Sequence, residues 1–230
     1  MRSTEVFLTN DGSHSLRSTR FGAAYHSTHG AVQESRHIFI EAGLRPILTA
    51  AVRPVTVIEM GFGTGLNALL SWQLAEQLAT QPVHYLSFER YPISLAEASG
   101  LNYPELLDVS ASDFLRLHEQ TAGDRVAISK FFTFQWLAQD FLTAEPQAAG
   151  DVLFYDAFAP EQQPELWTLS AMQRAARWLR PGGRLVTYCA KGQFKRNLRS
   201  AGFKVTALPG PIGKREITRG DLIDLAEATV

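Results

Sequence analysis

Val55-Thr56-Val57-Ile58-Glu59-Met60-Gly61-Phe62-Gly63-Thr64-Gly65 is the stretch that decides the fold of this 230-residue chain. Its β-branched run predicts a buried strand, and the glycines after it predict a tight turn into a helix over Asn67 to Ala79. Strand, glycine turn and helix together form a nucleotide-type pocket. The glycines let the backbone approach a ligand, and the helix start offers unpaired N–H groups. The spacing narrows the choice. Gly61, Gly63 and Gly65 are each two apart, whereas a dinucleotide fingerprint needs a glycine where Leu66 stands, and the Gly-Lys-Ser/Thr of a P-loop is absent. An acid, Glu59, stands two residues before the first glycine.

Working outward, the length suits one α/β domain with a small N-terminal addition. With 45% apolar and 20% charged residues and no apolar run as long as a membrane span, the composition is that of a soluble cytoplasmic protein. No basic stretch followed by an apolar segment at the N-terminus suggests export. The single cysteine, Cys189, excludes an intramolecular disulfide and a cysteine-based metal cluster. His14, His26, His29 and His37 lack the spacing of a metal set, so no metal is expected. The net charge is −1, but residues 184 to 219 hold nine basic side chains against the single acid Glu216. This C-terminal basic segment suits a phosphate backbone, and equally a solvated face.

Residues 1–45 form the expected N-terminal extension, with a turn at Thr9-Asn10-Asp11-Gly12-Ser13 and a helix from Ala31 that stops at Gly43. Residues 46–230 form the core. Val83 to Glu89 is the second strand, and Glu89 at its carboxyl end stands where an acid holds ribose hydroxyls in doubly wound sheets. Phe131 to Leu137, Asp151 to Asp156 and Arg184 to Cys189 are further strands, with a helix from about Pro164 or Leu166 to Leu179 between the last two. Phe203 to Ala207 and Glu216 to Thr218 form a terminal hairpin. The alternation predicts a three-layer α/β sandwich with a mostly parallel sheet and an antiparallel C-terminal edge strand.

Glu59 completes an E-x-G-x-G-x-G pattern that resembles motif I of class I S-adenosylmethionine (SAM) methyltransferases, a Rossmann-like family. Three further blocks are more specific. They are Asp11-Gly12-Ser13 with Phe21-Gly22 through Tyr25-His26-Ser27, Gly30-Ala31 and Glu34-Ser35; Asp156-Ala157-Phe158-Ala159-Pro160 with Pro164-Glu165-Leu166-Trp167; and Thr187 to Gly192 with Gly210 to Glu216. In this order they resemble the methyltransferases that form 5-methylaminomethyl-2-thiouridine at the tRNA wobble position, the MnmD enzymes and the methyltransferase half of MnmC. The resemblance implies SAM as cofactor, held by Glu59, Gly61, Gly63, Gly65, Asn67, Glu89 and Asp140, the last near the adenine. Asp140 is equally a helix N-cap. It also implies tRNA as partner. Nothing follows residue 230, so a flavin-dependent oxidase acting upstream is expected to be separate.

The implied reaction is attack of a primary amine on a methyl group, which requires a neutral amine and tight alignment. Asp156 is the candidate catalytic acid–base group, with a turn-forming role as the alternative. Tyr25, His26, Phe158 and Pro160 are candidate walls of the substrate site, and Lys191, Lys214 and Arg215 candidate phosphate contacts. Trp167 and Trp178 are expected in the core, as is Cys189. Competing readings are a methyltransferase or aminopropyltransferase for a small free amine, a non-catalytic tRNA-binding module, and a nicotinamide dehydrogenase, which Leu66 disfavours.

Overall fold

Residues 4–146 and 148–224 are described by the computed structural model of the protein. The chain starts with β1 (Thr4–Leu8), β2 (His14–Ser18) and β3 (Ala23–Ala24), an antiparallel sheet separate from the main one. The turn between the first two strands is built on Asp11, whose Oδ1 accepts from Thr9 Oγ1 (2.7 Å) and Ser13 N (3.0 Å). Its Oδ2 accepts from Gln33 N at 2.9 Å and ties the turn to the next helix.

Helical backbone then runs without a break from α1 (Ala31–Ser35) through a π-helical stretch (Arg36–Leu44) into α2 (Arg45–Thr49). It crosses residue 45, where the sequence predicts extension and core to meet, and Gly43 does not stop it. A Cβ on Gly43 would lie 2.9 Å from Val186 Cγ2 and 3.2 Å from Phe154 Cε1, so this glycine lets the helix approach the sheet.

Next come β4 (Val55–Met60), α3 (Leu66–Leu78), β5 (Val83–Phe88), α4 (Leu95–Ser99), α5 (Tyr103–Leu106), α6 (Ala111–His118), β6 (Arg125–Ala127) and β7 (Phe132–Leu137). β8 (Gly150–Tyr155), a 3₁₀ turn (Pro164–Trp167), α7 (Leu169–Arg177), β9 (Leu179–Thr187), α8 (Gly192–Ser200), β10 (Phe203–Pro209) and β11 (Glu216–Leu222) complete the described chain. The main sheet has the order β10-β11-β9-β8-β4-β5-β7-β6. β4 pairs in parallel with both β5 and β8, β5 with β7, and β8 with β9.

Why the central strands read as unbroken apolar runs is visible in the packing. Val57, Val152 and Phe154 point into one core with Phe39 and Leu69, whereas Ile58, Leu153 and Tyr155 point into another with Met172 and Phe194. Both faces are covered, so both parities of the strands are mostly apolar, and the buried polar pair Glu59 and Ser87 is hydrogen-bonded. Trp167, Trp178 and Cys189 are buried in the second core, as expected.

Four details differ from the sequence reading. The antiparallel strand of the C-terminal hairpin is β11, one place inside the edge, because β10 folds back outside it. β9 starts at Leu179 and runs through Pro181-Gly182-Gly183, so the helix before it ends at Arg177. That helix starts only at Leu169, where Thr168 Oγ1 caps it by accepting from Ala171 N at 3.2 Å. The short β6 lies in a region with no strand signal and pairs antiparallel to β7.

Substituting Gly43→Val should destabilise the protein by about 1–3 kcal/mol through overpacking against Val186 and Phe154. Urea unfolding measures it; an unchanged midpoint would show that the helix can move away from the sheet.

Candidate active site

The parallel strands β4, β5, β7, β8 and β9 end at one edge of the sheet, and the residues just past their ends surround a cavity of ≈ 460 Å³. Ligands of open α/β sheets bind at this edge, where the chain changes direction about the first strand. Gly61 and Gly63 follow β4, Glu89 follows β5, Asp140 follows β7, Asp156 follows β8 and Tyr188 follows β9. β11 runs the other way, so its starting end reaches the same edge and the turn before it delivers Lys214. The segment after β3 covers the cavity with Tyr25, His26 and Glu34.

On the β4–β5 side the glycine turn forms a cradle. Gly61, Gly63 and Gly65 have φ of +94°, +53° and +75°, which residues with a side chain rarely adopt. A Cβ on Gly61 would lie 2.8 Å from Asp156 O, and one on Gly63 would lie 3.0 Å from Tyr25 Cδ1. Glu89 accepts from Gly63 N (3.0 Å) and Tyr91 N (2.6 Å), and burial pushes its carboxyl pKa up. Asp140 accepts from Leu142 N at 2.9 Å and pairs with Arg90 at 3.2 Å. It therefore caps the turn after β7 while lining the cavity, and the segment that follows is a turn and not the helix the N-cap reading expects.

Beside the cradle, Asp156 Oδ2 accepts from Asn67 Nδ2 at 2.9 Å. Burial, then the nearby Glu34 carboxylate, raise its pKa to about 7, while the Asn67 hydrogen bond and Lys214 oppose the shift. Glu34 accepts from Ser27 N at 2.8 Å and pairs with Lys214 Nζ at 2.6 Å. Lys214 also lies over the Tyr188 ring, 4.3 Å from its centroid. Desolvation lowers the His26 pKa to about 4 and keeps the ring neutral, with Nδ1 3.0 Å from Ser15 Oγ. Phe158 packs between Phe21 (4.7 Å between centroids) and Tyr25 (5.2 Å), forming an aromatic wall.

The cavity thus brings together Tyr25, His26, Gly61, Gly63, Asn67, Glu89, Asp140, Asp156, Phe158 and Lys214. Glu59, Gly65, Pro160, Lys191 and Arg215 are not in its wall. Glu59 is fully buried beneath it and accepts from Ser87 Oγ at 2.7 Å. Gly65 is covered by His118 and Phe62. Pro160 follows the wall residue Ala159 without lining the cavity, and Lys191 pairs with Glu161 on the surface. Arg215 is exposed, and no ion pair among the described residues holds it. The basic segment is therefore less free than its composition suggests, because Arg184, Lys195, Lys214 and Arg219 also have acidic partners. Glu34, Gln163 and Tyr188 are the cavity residues that spacing could not single out. Glu34 meets Lys214 across 180 residues of chain, which leaves no local signal. Among the described residues, no group of three or more acids, histidines or cysteines is set to hold a metal, and no helix is long and apolar enough to cross a membrane.

A glycine cradle with no room for side chains, a carboxylate at the end of β5 and a polar buried floor fit the amino-acid and ribose portions of SAM. The fold is that of the class I SAM-dependent methyltransferases, and residues 129–223 match a family described as S-adenosyl-L-methionine-dependent methyltransferase. The chain is 35% identical over 229 residues to the tRNA 5-methylaminomethyl-2-thiouridine biosynthesis bifunctional protein MnmC of Pseudomonas fluorescens Pf-5, covering 92% of this chain and 34% of that protein. The MnmC of Nitrosospira multiformis is 33% identical, covering 90% of this chain and 35% of its own length. The chain spans about a third of the length of these relatives. In fold it is similar to the crystal structure of MNMC2 from Aquifex aeolicus, with a TM-score of 0.77 and 24% identity, over 96% of this chain and 71% of that one.

The raised pKa of Asp156 has a consequence for stability. Between about pH 4 and pH 7 the folded state holds a proton that the unfolded carboxyl has lost, so this group's contribution falls as pH rises through that window and stays low above it. Asp156→Asn should therefore be more stable than the wild type at pH 8 by roughly 1–4 kcal/mol, with the difference shrinking below pH 5. Denaturant titrations at the two pH values check this; a difference independent of pH would remove the burial argument.

Proposed function

We propose that the chain transfers a methyl group from SAM to the primary amine of 5-aminomethyl-2-thiouridine at the wobble position of tRNA. The observation that carries this reading is Asp156, desolvated and fixed by Asn67, beside the glycine cradle in a cavity that the N-terminal segment covers. The named biosynthetic role of the relatives, over nine-tenths of this chain, supports the acceptor.

When bound, SAM supplies an electrophilic methyl group on a sulfonium. The attacking amine must arrive without its extra proton and in line, and alignment alone is worth several kcal/mol. Asp156 is suited to both needs. Its carboxylate accepts a hydrogen bond from the amine and orients the lone pair, and a pKa near 7 makes it a better proton acceptor than an exposed aspartate. Lys214, already paired with Glu34, keeps the net charge of the acidic pocket low and holds the β10–β11 turn against the covering segment. Phe158 and Tyr25 offer flat apolar faces to a uracil ring and keep water from the reacting atoms. Glu89 and Asp140 face the ribose and adenine.

The tRNA backbone then lies over exposed cations, Arg215 among them, and not over Lys214. The partners this reading implies are tRNA and an oxidase activity that acts upstream to expose the amine. A tRNA acceptor makes the cytoplasm the working compartment.

Incubation with labelled SAM and tRNA from cells lacking this methyl, followed by digestion to nucleosides, should put label in 5-methylaminomethyl-2-thiouridine. Label confined to a small free amine would overturn the reading. Asp156→Ala should bind SAM within threefold of wild type and lose at least 100-fold in kcat. Near-normal turnover would take Asp156 out of the chemistry. Replacing Arg215 with alanine should lower the slope of log K against log salt for tRNA by about one. An unchanged slope would mark Arg215 as a solvated side chain.

A further inference from the structure

We propose that Gln163 selects the acceptor base, its side-chain amide donating to the 4-carbonyl oxygen of a uracil ring. The inference rests on the reading of the acceptor as a 5-aminomethyluracil and deepens it by naming the group that reads the ring.

Three side chains pin the loop that follows Asp156. Tyr188 Oη donates to Ala157 O at 2.8 Å, and Trp167 Nε1 donates to Phe158 O at 2.9 Å. Phe158 N donates to Gln163 Oε1 at 3.0 Å. Tyr188 and Trp167 commit their only donor in this way, whereas an amide that accepts through Oε1 keeps both N–H donors on Nε2. The bond from Phe158 N also settles which end of the Gln163 amide faces the loop, since only its oxygen can accept. Nε2 has no hydrogen-bond partner among the described residues and is not shut in, and Gln163 stands half-buried in the cavity wall. Gln162 lines the same cavity, but it is exposed, and no hydrogen bond among the described residues orients its amide.

An oriented donor beside an aromatic wall suits a flat ligand with a carbonyl on its edge. Phe158, whose backbone Gln163 holds, packs between Phe21 and Tyr25 in that wall, and Asp156 stands two residues before it. In a 5-aminomethyluracil the ring carbon that bears the substituent adjoins C4, whereas C2 lies across the ring. With the amine at Asp156, the ring edge nearest the loop that Gln163 holds therefore carries the 4-oxygen. A uracil presents an acceptor at this position and a cytosine presents an amino donor. The Gln163 amide pairs with the first and meets the second donor to donor. A polar group left facing its own kind in an enclosed site is what makes such a readout selective.

The test uses tRNAs assembled by ligation to carry 5-aminomethyluridine, 5-aminomethyl-2-thiouridine or 5-aminomethylcytidine at the wobble position, with kcat/KM read from labelled SAM for the wild type and for Gln163→Glu. The substitution keeps an acceptor for Phe158 N and exchanges the free donor for a second acceptor. The wild type should favour uridine over cytidine by about tenfold or more, and Gln163→Glu should lower that ratio by about tenfold. The added charge acts on both acceptors alike, so the ratio reports the ring edge and not the attraction of the tRNA backbone. A ratio that stays within about threefold of the wild type overturns the inference and leaves Gln163 as a clamp on the loop. A shift confined to the preference between the 2-thio and 2-oxo acceptors also overturns it, by putting the amide on the other side of the ring. So does a tenfold loss of SAM affinity in calorimetry without tRNA, which would put the amide against the donor. Should the wild type methylate neither uridine acceptor, the proposed acceptor itself fails. Methylation of both with an unchanged ratio in Gln163→Glu rejects the role of Gln163 alone.

Discussion

The site depends on the parallel pairing of β4 with β8. This pairing sets Met60 opposite Tyr155, so the glycine turn and Asp156 leave the sheet side by side. Asp156 N donates to Met60 O at 3.2 Å, and the Asp156 carbonyl sits where a Gly61 side chain would need to be. A one-residue slip would turn every side chain of β8 to the other face and exchange the two cores. The apolar demand on both faces of the sheet therefore fixes the register, and through it the placing of the glycine turn beside Asp156.

Around this pair the fold arranges its charges in a dry setting. Glu34, Glu59, Glu89 and Asp156 are largely enclosed, and Lys214 pairs with Glu34 and acts on Asp156. Desolvation dominates in such a place, which is why the carboxyls of Glu59, Glu89 and Asp156 shift upward. The pocket becomes one in which acids are poised to take protons. The proposed transfer to an amine would use that property, since an alkylammonium must lose a proton before it can attack. The cost is borne by the rest of the molecule, through two apolar cores that hold the strands together whatever the state of the acids.

The covering segment connects the ends of the described chain. Residues after β3 pack over the glycine turn through Tyr25, and α1 supplies Glu34 to the β10–β11 turn. His37 Nε2 lies 2.8 Å from Pro209 O, a second contact between the same two regions. The enclosure of Asp156 is thus made by segments far apart in sequence, and loosening either one would rehydrate the acid.

By itself the sequence determined the strand–turn–helix at Val55 to Gly65, the mostly parallel sheet, the acids after three strands and the absence of a third fingerprint glycine. These are local matters of spacing, propensity and chain order, and they are legible because parallel strands deliver their carboxyl-end loops to one edge. It could not show that the helix from Ala31 passes through Gly43, because that glycine answers to Val186 and Phe154 and not to its neighbours in the chain. Nor could it separate Glu59, under the floor, from Gly61, in the wall, since residues two apart differ in depth only once the strand is packed. The basic segment shows the same limit: nine cations in sequence became mostly ion-paired side chains in space, and Lys214 turned inward because β11 runs against the sheet. Composition counts charges, but only the tertiary structure decides which of them meet a partner, because pairing depends on distances that the chain order does not contain.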